Sequence, residues 1–178
     1  DNAGIAIAAL RAAGLPIPAP AFAAGIARAE WPGRLQRLGA PWLDLLPEGS
    51  ELWLDGAHNP GGALALASVL DEWQGPTHLV IGMKQSKDCA EFLRPLIPRA
   101  ASIHAVAEPD QHLALPVEQI IAASGGVALP GPDVAGALRH IARAGRKARV
   151  LICGSLYLAG CVLGRAAVPA PVAEFVKA

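Results

Sequence analysis

The chain has 178 residues, of which 53% are hydrophobic and 17% charged, and its 15 basic and 15 acidic residues give a formal net charge of zero. This content excludes a disordered chain and suffices for one domain with a full core plus a smaller segment. The balanced charge offers nothing to attract a polyanion, so we expect no nucleic acid partner. The three cysteines lack metal-type or redox-type spacing, and neither a signal peptide nor a bilayer-length apolar run is recognisable. These features favour a cytoplasmic protein without membrane contact.

The first residues predict a short helical segment ahead of the main domain. Residues 2–13 are almost unbroken helix formers, and a second helix is predicted over 21–30 after a proline-rich connector. The run Trp31-Pro32-Gly33-Arg34 then breaks the chain, because Pro and Gly together prevent a helix from continuing. Since this helical pair is too small for a core of its own, we expect residues 1–38 to be the tail of another domain, with a boundary near Gly39.

Strands and helices alternate from residue 51 onward. The predicted strands are 51–54, 78–83, 103–106, 127–129 and 149–153, and the predicted helices are 60–73, 88–96, 117–123, 134–144 and 156–163. The strands are apolar on both faces, which is typical of a parallel sheet covered by helices. The sequence therefore predicts an α/β fold with a mostly parallel sheet and helices on both faces. In such folds ligands bind at the carboxyl ends of the strands.

The strongest local signal for chemistry is Asp55-Gly56-Ala57-His58-Asn59-Pro60, which joins the end of a strand to the start of a helix. Asp55 can accept hydrogen bonds from ribose hydroxyls or hold a cation through water, and the helix N-terminus suits an anionic ligand. The alternative is that Asp-Gly forms a turn and Asn-Pro caps the helix. The run by itself leaves both interpretations open.

Two further strand-to-helix loops carry polar side chains. In Cys153-Gly154-Ser155-Leu156-Tyr157, the Ser155 hydroxyl can donate to a carboxylate or simply cap the next helix. In residues 82–88, Lys84 and Lys87 can each meet a substrate carboxylate or lie in solvent. For each loop considered alone, the structural interpretation is favoured.

Several kinds of site are not supported. The segment 56–63 has the glycine spacing of a phosphate-binding loop, but Gly62 and Ala63 replace the Lys and Ser/Thr that bind phosphates and Mg²⁺. No strand leads into G-x-G-x-x-G, and the histidines are scattered, so neither a dinucleotide site nor a metal site is predicted. Ser155 has no evident triad partner, which makes hydrolase chemistry a weak option. We predict no catalytic residue in this chain.

Three runs, taken in order and with their spacing, resemble the folylpolyglutamate synthase/dihydrofolate synthase family of the Mur ligase superfamily. They are Trp31-Pro32-Gly33-Arg34, the run 55–60 and the run 153–157, and Asn2-Ala3 also fits a family position before the arginine. The resemblance covers nearly the whole chain. It implies that residues 1–38 end a central ATPase domain and that residues 39–178 form a Rossmann-like glutamate-ligase domain.

The resemblance also implies an activity and a nucleotide site. Enzymes of the family are ATP-dependent carboxylate–amine ligases, in which ATP phosphorylates the carboxylate of a pterin substrate and the glutamate amine attacks the acyl phosphate. By matching position, Asn2 would contact adenine, Arg34 the phosphates and Asp55 the ribose. The implied cofactors are ATP and Mg²⁺, whose protein ligands would lie in the missing N-terminal part.

The implied amino-acid site lies at the other matched residues. His58 and Ser155 would hold the incoming L-glutamate, and Lys87 with Asp88 matches the end of the family's Asp-Lys-Asp motif. Ser86 replaces the first acid of that motif, which is a departure from the family pattern. The partners would be small molecules (L-glutamate, dihydropteroate or folate, and ATP), and the protein would be a monomer.

The same resemblance implies that the chain folds but does not turn over alone, because the phosphate loop and most of the pterin site are absent. A competing interpretation is the C-terminal domain of a peptidoglycan Mur ligase, which has the same fold and chemistry with another acceptor. The Ala-His-Asn-Pro and Gly-Ser-Leu-Tyr runs favour the folate family over it. A non-catalytic binding module that retains this fold and an unrelated nucleotide-binding α/β domain are also compatible with the predicted elements.

Overall fold

The computed structural model describes residues 2–166. The chain divides into two compact units between Pro32 and Gly33. The first unit consists of helices α1 (Asn2–Ala12) and α2 (Ala19–Ala27), as the sequence predicts. Within the described residues, no helix has both the length and the apolar character needed to cross a bilayer.

The second unit is an α/β domain whose elements follow the predicted alternation. Its strands are β1 (Gln36–Arg37), β2 (Glu51–Leu54), β3 (Thr77–Ile81), β4 (Ala100–Ala105), β5 (Leu129–Pro130) and β6 (Arg149–Cys153). Its helices are α3 (Pro60–Glu72), α4 (Cys89–Leu93), α5 (Val117–Ala123), α6 (Val134–Ala142) and α7 (Leu156–Ala166), and short 3-10 helices occupy Leu43–Leu45 and Ile97–Arg99.

Within residues 2–166, six strands form one sheet in the order β1-β2-β6-β3-β4-β5. All neighbouring pairs are parallel except β1 and β2, which confirms the mostly parallel sheet. The sequence did not predict β1, whose Gln36 and Arg37 lie opposite Leu54 and Trp53. Because these residues pair with β2, they belong to the second unit, and the contacts divide the chain earlier than the boundary expected near Gly39.

In the part of the chain that the structure describes, two separate hydrophobic clusters cover the two faces of the sheet. Alternate residues of a strand point to opposite faces, so Leu79 and Leu151 pack beneath α3, α4 and α5, whereas Val80 and Val150 pack beneath α6 and α7. This arrangement confirms that helices lie on both faces.

The course of the chain creates a crevice at one edge of the sheet. Strands β3 and β6 are neighbours, but β3 leads to α4 on one face and β6 leads to α7 on the other. A reversal of this kind leaves a crevice outside the carboxyl ends of the two strands, where ligands bind in doubly wound folds. The loops after β2, β3 and β6 therefore meet at this crevice.

Candidate functional site

The loop after β2 is built around the buried carboxylate of Asp55, which is 8% exposed. Its Oδ1 accepts a hydrogen bond of 2.7 Å from the Ala57 N–H, and its Oδ2 accepts one of 2.8 Å from the Leu35 N–H. Leu35 has a φ of +40°, in the left-handed region that a leucine rarely adopts. Asp55 thus fixes the segment that carries Arg34 against the end of β2. The ribose contact predicted for Asp55 stays a prediction.

A second contact joins the same two segments. The Gly56 N–H donates to the Gly33 carbonyl oxygen at 2.7 Å. A Cβ at Gly56 would overlap the end of the Leu156 side chain, so this leucine would have to move to accommodate any other residue. Arg34 is exposed beside this contact and lines a pocket of about 280 Å³ with Asp55, His58 and the first turns of α3. We call this cavity the Arg34 pocket.

The orientation of His58 follows from its hydrogen bond. Its Nδ1 lies 2.8 Å from the Gly56 carbonyl oxygen. Because a carbonyl can only accept, Nδ1 carries a hydrogen, which leaves Nε2 as the ring nitrogen that can meet a ligand. The next residue, Asn59, caps α3 by accepting a hydrogen bond of 2.8 Å from the Gly62 N–H. The capping role considered for Asn-Pro is therefore confirmed.

The loop after β6 brings Ser155 into the crevice. Gly154 has a φ of +110°, and a Cβ there would lie 2.8 Å from the Gly82 carbonyl oxygen, so only glycine fits. Ser155 is 2% exposed, and its Oγ accepts a hydrogen bond of 3.1 Å from the Tyr157 N–H. The serine thus acts as a cap at the start of α7. Its hydroxyl hydrogen can still be donated to a ligand.

The loop after β3 presents two lysines. The Lys87 N–H donates to the Lys84 carbonyl oxygen at 3.1 Å and closes a turn. Asp88 caps α4 by accepting a hydrogen bond of 2.9 Å from the Glu91 N–H. The Lys84 ammonium lies 4.9 Å from the centre of the Tyr157 ring.

These three loops enclose a second pocket, of about 190 Å³, which we call the Ser155 pocket. It is lined by His58, Lys84, Lys87, Ser155, Leu156 and Tyr157. The structure therefore brings together His58, Lys87 and Ser155, the residues for which a glutamate-binding role was predicted. Two ammonium groups and the N-terminus of α7 make the pocket electropositive. The sequence did not indicate that Tyr157 would join them, since its ring meets Lys84 only after β3 and β6 become neighbours.

The remaining predicted residues lie elsewhere or remain untested. Asn2 is exposed at the start of α1, in the first unit, and its contact with adenine stays a prediction. Among residues 2–166, no group of three or more His, Cys, Asp or Glu side chains is arranged to hold a metal ion. Burial, followed by the negative charge of Asp55, raises the pKa of the Cys153 thiol, so this cysteine at the end of β6 stays neutral.

The doubly wound sheet, with polar loops gathered at the crevice, agrees with the comparison with protein families. Residues 33–156, more than half of the chain, match the family described as "Mur ligase, glutamate ligase domain", and the chain belongs to that family.

Individual proteins similar to this chain indicate a more specific group within the Mur ligases. The chain is 35% identical over 165 residues to the probable bifunctional folylpolyglutamate synthase/dihydropteroate synthase of Haloferax volcanii, over 88% of this chain and 18% of that protein. Its fold is similar to that of E. coli FolC in complex with DHPP and ADP, with a TM-score of 0.73 and 31% identity over 92% of this chain and 38% of that one. A bifunctional folylpolyglutamate synthase/dihydrofolate synthase with Mn, AMPPNP and L-glutamate bound gives a TM-score of 0.73 and 29% identity over 90% and 37%. These matches confirm the resemblance, and the chain spans less than half the length of each relative.

Proposed function

We propose that this chain is the glutamate-binding, C-terminal part of an ATP-dependent ligase that adds L-glutamate to dihydropteroate, to folylpolyglutamate or to both. The reaction would proceed through an acyl phosphate. The observation that carries the proposal is the Ser155 pocket, where His58, Lys87 and Ser155 converge. Relatives named as folylpolyglutamate synthases support the folate acceptor over the peptidoglycan acceptor.

Each residue of the Ser155 pocket has a chemical role in this proposal. The Lys87 ammonium and the Ser155 hydroxyl would donate to glutamate carboxylate oxygens, assisted by the positive end of α7. Because Nδ1 is already committed to the Gly56 oxygen, Nε2 is the ring nitrogen of His58 that would meet the amine and, in the neutral ring, would accept a hydrogen from it. The pocket would thus hold the amine in a fixed orientation for attack.

The nucleotide would bind in the Arg34 pocket. Arg34 would contact the phosphates and Asp55 the ribose, and the adenine contact of Asn2 is implied by the family resemblance alone. His58 lines both pockets, so a phosphate near Arg34 and an amine near His58 would be neighbours. Such proximity is what transfer of an acyl group from phosphate to amine requires.

The proposed reaction also requires a phosphate loop and metal ligands that this chain does not supply. Relatives bound to ADP, or to AMPPNP and Mn, support the use of a nucleotide and a divalent metal. We assign the Mg²⁺ ligands and the phosphate loop to the preceding ATPase domain, of which the first helical unit would be the tail. The full-length enzyme would be a cytoplasmic monomer, and the chain alone would not turn over.

A calorimetric titration tests the proposal. L-Glutamate should bind to the chain more tightly than D-glutamate or L-alanine, and Ser155→Ala should weaken L-glutamate binding about tenfold. Ser68→Ala is the matched control, because the Ser68 hydroxyl donates to the Leu64 carbonyl oxygen of its own helix at an exposed site. Equal binding of the three amino acids would overturn the glutamate site. Glutamate-dependent ADP release by the purified chain would contradict its predicted inactivity.

A further inference from the structure

Lys84 is held in place over an aromatic ring at the Ser155 pocket. Its ammonium lies 4.9 Å from the centre of the Tyr157 ring, within the range of a cation–π contact. The His112 ring lies 5.2 Å from the same tyrosine ring. The His112 ring thus restrains the Tyr157 ring, which in turn contacts the Lys84 ammonium. A lysine restrained in this way loses less conformational entropy when a ligand binds.

The backbone of Lys84 is also fixed. On one side the Leu115 N–H donates to the Met83 carbonyl oxygen at 2.8 Å, and on the other the Gln85 N–H donates to the Leu113 carbonyl oxygen at 3.0 Å. Hydrogen bonds on both flanks attach this loop to the segment after β4. These backbone contacts therefore hold Lys84 in a fixed position at the Ser155 pocket.

Lys84 and Lys87 are both cationic, and no carboxylate lines the Ser155 pocket within the part of the chain that the structure describes. A dicarboxylic amino acid offers one negative group to each lysine, whereas a monocarboxylic amino acid leaves one lysine without a partner. We infer that Lys84 is a specificity-determining residue, which binds the second carboxylate of the amino acid while Lys87 binds the first. This inference rests on the proposed function, because it requires the amino acid to enter this pocket.

Tyr157 acts in this inference through Lys84 and is a positioning residue. Its ring fixes where the ammonium lies, so the aromatic face matters more than the hydroxyl. Tyr157→Phe should keep the preference for a dicarboxylate, and Tyr157→Leu should reduce it about threefold, in line with an exposed cation–π contact.

The test compares L-glutamate with L-glutamine, which replaces the second carboxylate by a neutral amide of the same shape. Both are titrated into the wild-type chain, Lys84→Gln and Lys147→Gln, and amide NMR shifts are followed at low ionic strength. Lys147 is the matched control, because it lines a separate cavity beside the start of β6 and its loss changes the net charge equally. The wild type and Lys147→Gln should prefer L-glutamate by about tenfold, and Lys84→Gln should prefer it by about twofold or less.

The outcomes separate the inference from the proposed function. If Lys84→Gln keeps both a folded amide spectrum and the full preference, the role of Lys84 is refuted and the glutamate site stands. If Lys84→Gln loses affinity for both ligands equally, Lys84 does not determine specificity. If the wild type binds neither ligand, or both equally, the inference and the proposed glutamate site fail together.

Discussion

Removal of the Asp55 carboxylate should destabilise the second unit strongly. The side chain accepts two hydrogen bonds from backbone N–H groups, at 2.7 and 2.8 Å. A bond to a charged acceptor contributes about 1.5–3 kcal/mol, and relaxation of the strained Leu35 backbone returns part of that sum. We therefore expect Asp55→Ala to lower the free energy of unfolding by about 3 kcal/mol, a large share of the ~5–15 kcal/mol typical of a domain.

The assay is urea unfolding followed by tryptophan fluorescence, since Trp42, Trp53 and Trp73 all lie in the second unit. Asp55→Asn retains one acceptor oxygen and should cost about half as much as Asp55→Ala. Asp44→Ala, at an exposed acid, is the control and should change the free energy of unfolding by less than about 0.5 kcal/mol. A loss below about 1 kcal/mol for Asp55→Ala would refute the claim that its carboxylate holds the two segments together.

Three further predictions concern the backbone, the pH and the nucleotide side. Gly154→Ala should destabilise the chain by about 3 kcal/mol, because its Cβ meets the Gly82 oxygen, and an unchanged melting temperature would contradict this. Burial, and then the charges of His140 and His78, lowers the pKa of His104 from 6.5 to about 4. Between these two pKa values, His104 binds more protons in the unfolded chain than in the folded one. The free energy of unfolding should therefore fall as the pH drops from 6.5 towards 4, and it should fall less steeply in His104→Gln. Arg34→Ala should leave the melting temperature unchanged, because the side chain is exposed, and should weaken Mg-ATP binding about tenfold in a calorimetric titration of the enzyme that includes the preceding ATPase domain.

Much of the fold could be predicted because its signals are local. Strand β6 and helix α5 have the predicted bounds, since an apolar run and its flanking turn residues determine both. Strand β1 could not be predicted, because two residues form no recognisable period and their pairing with β2 is a tertiary contact. The predicted strand 127–129 is displaced to Leu129–Pro130, because its position depends on pairing with β4.

The contacts of the site likewise divide into those that could be predicted from the sequence and those that depend on tertiary packing. The grouping of His58, Lys87 and Ser155 in one site was implied by the family resemblance, and it agrees with their positions after parallel strands, whose carboxyl ends share one edge of the sheet. The bond from Leu35 to Asp55 joins segments 20 residues apart and has no local signal. The contact between Lys84 and Tyr157 likewise depends on the packing of separate loops.

A backbone NMR titration of the chain with L-glutamate is the most direct test of the account. We predict that the largest shifts occur at His58, Lys87 and Ser155, and that D-glutamate produces much smaller ones at the same residues. Equal shifts for both enantiomers, or shifts centred on Lys147 at the start of β6, would contradict the assignment of the Ser155 pocket as the glutamate site.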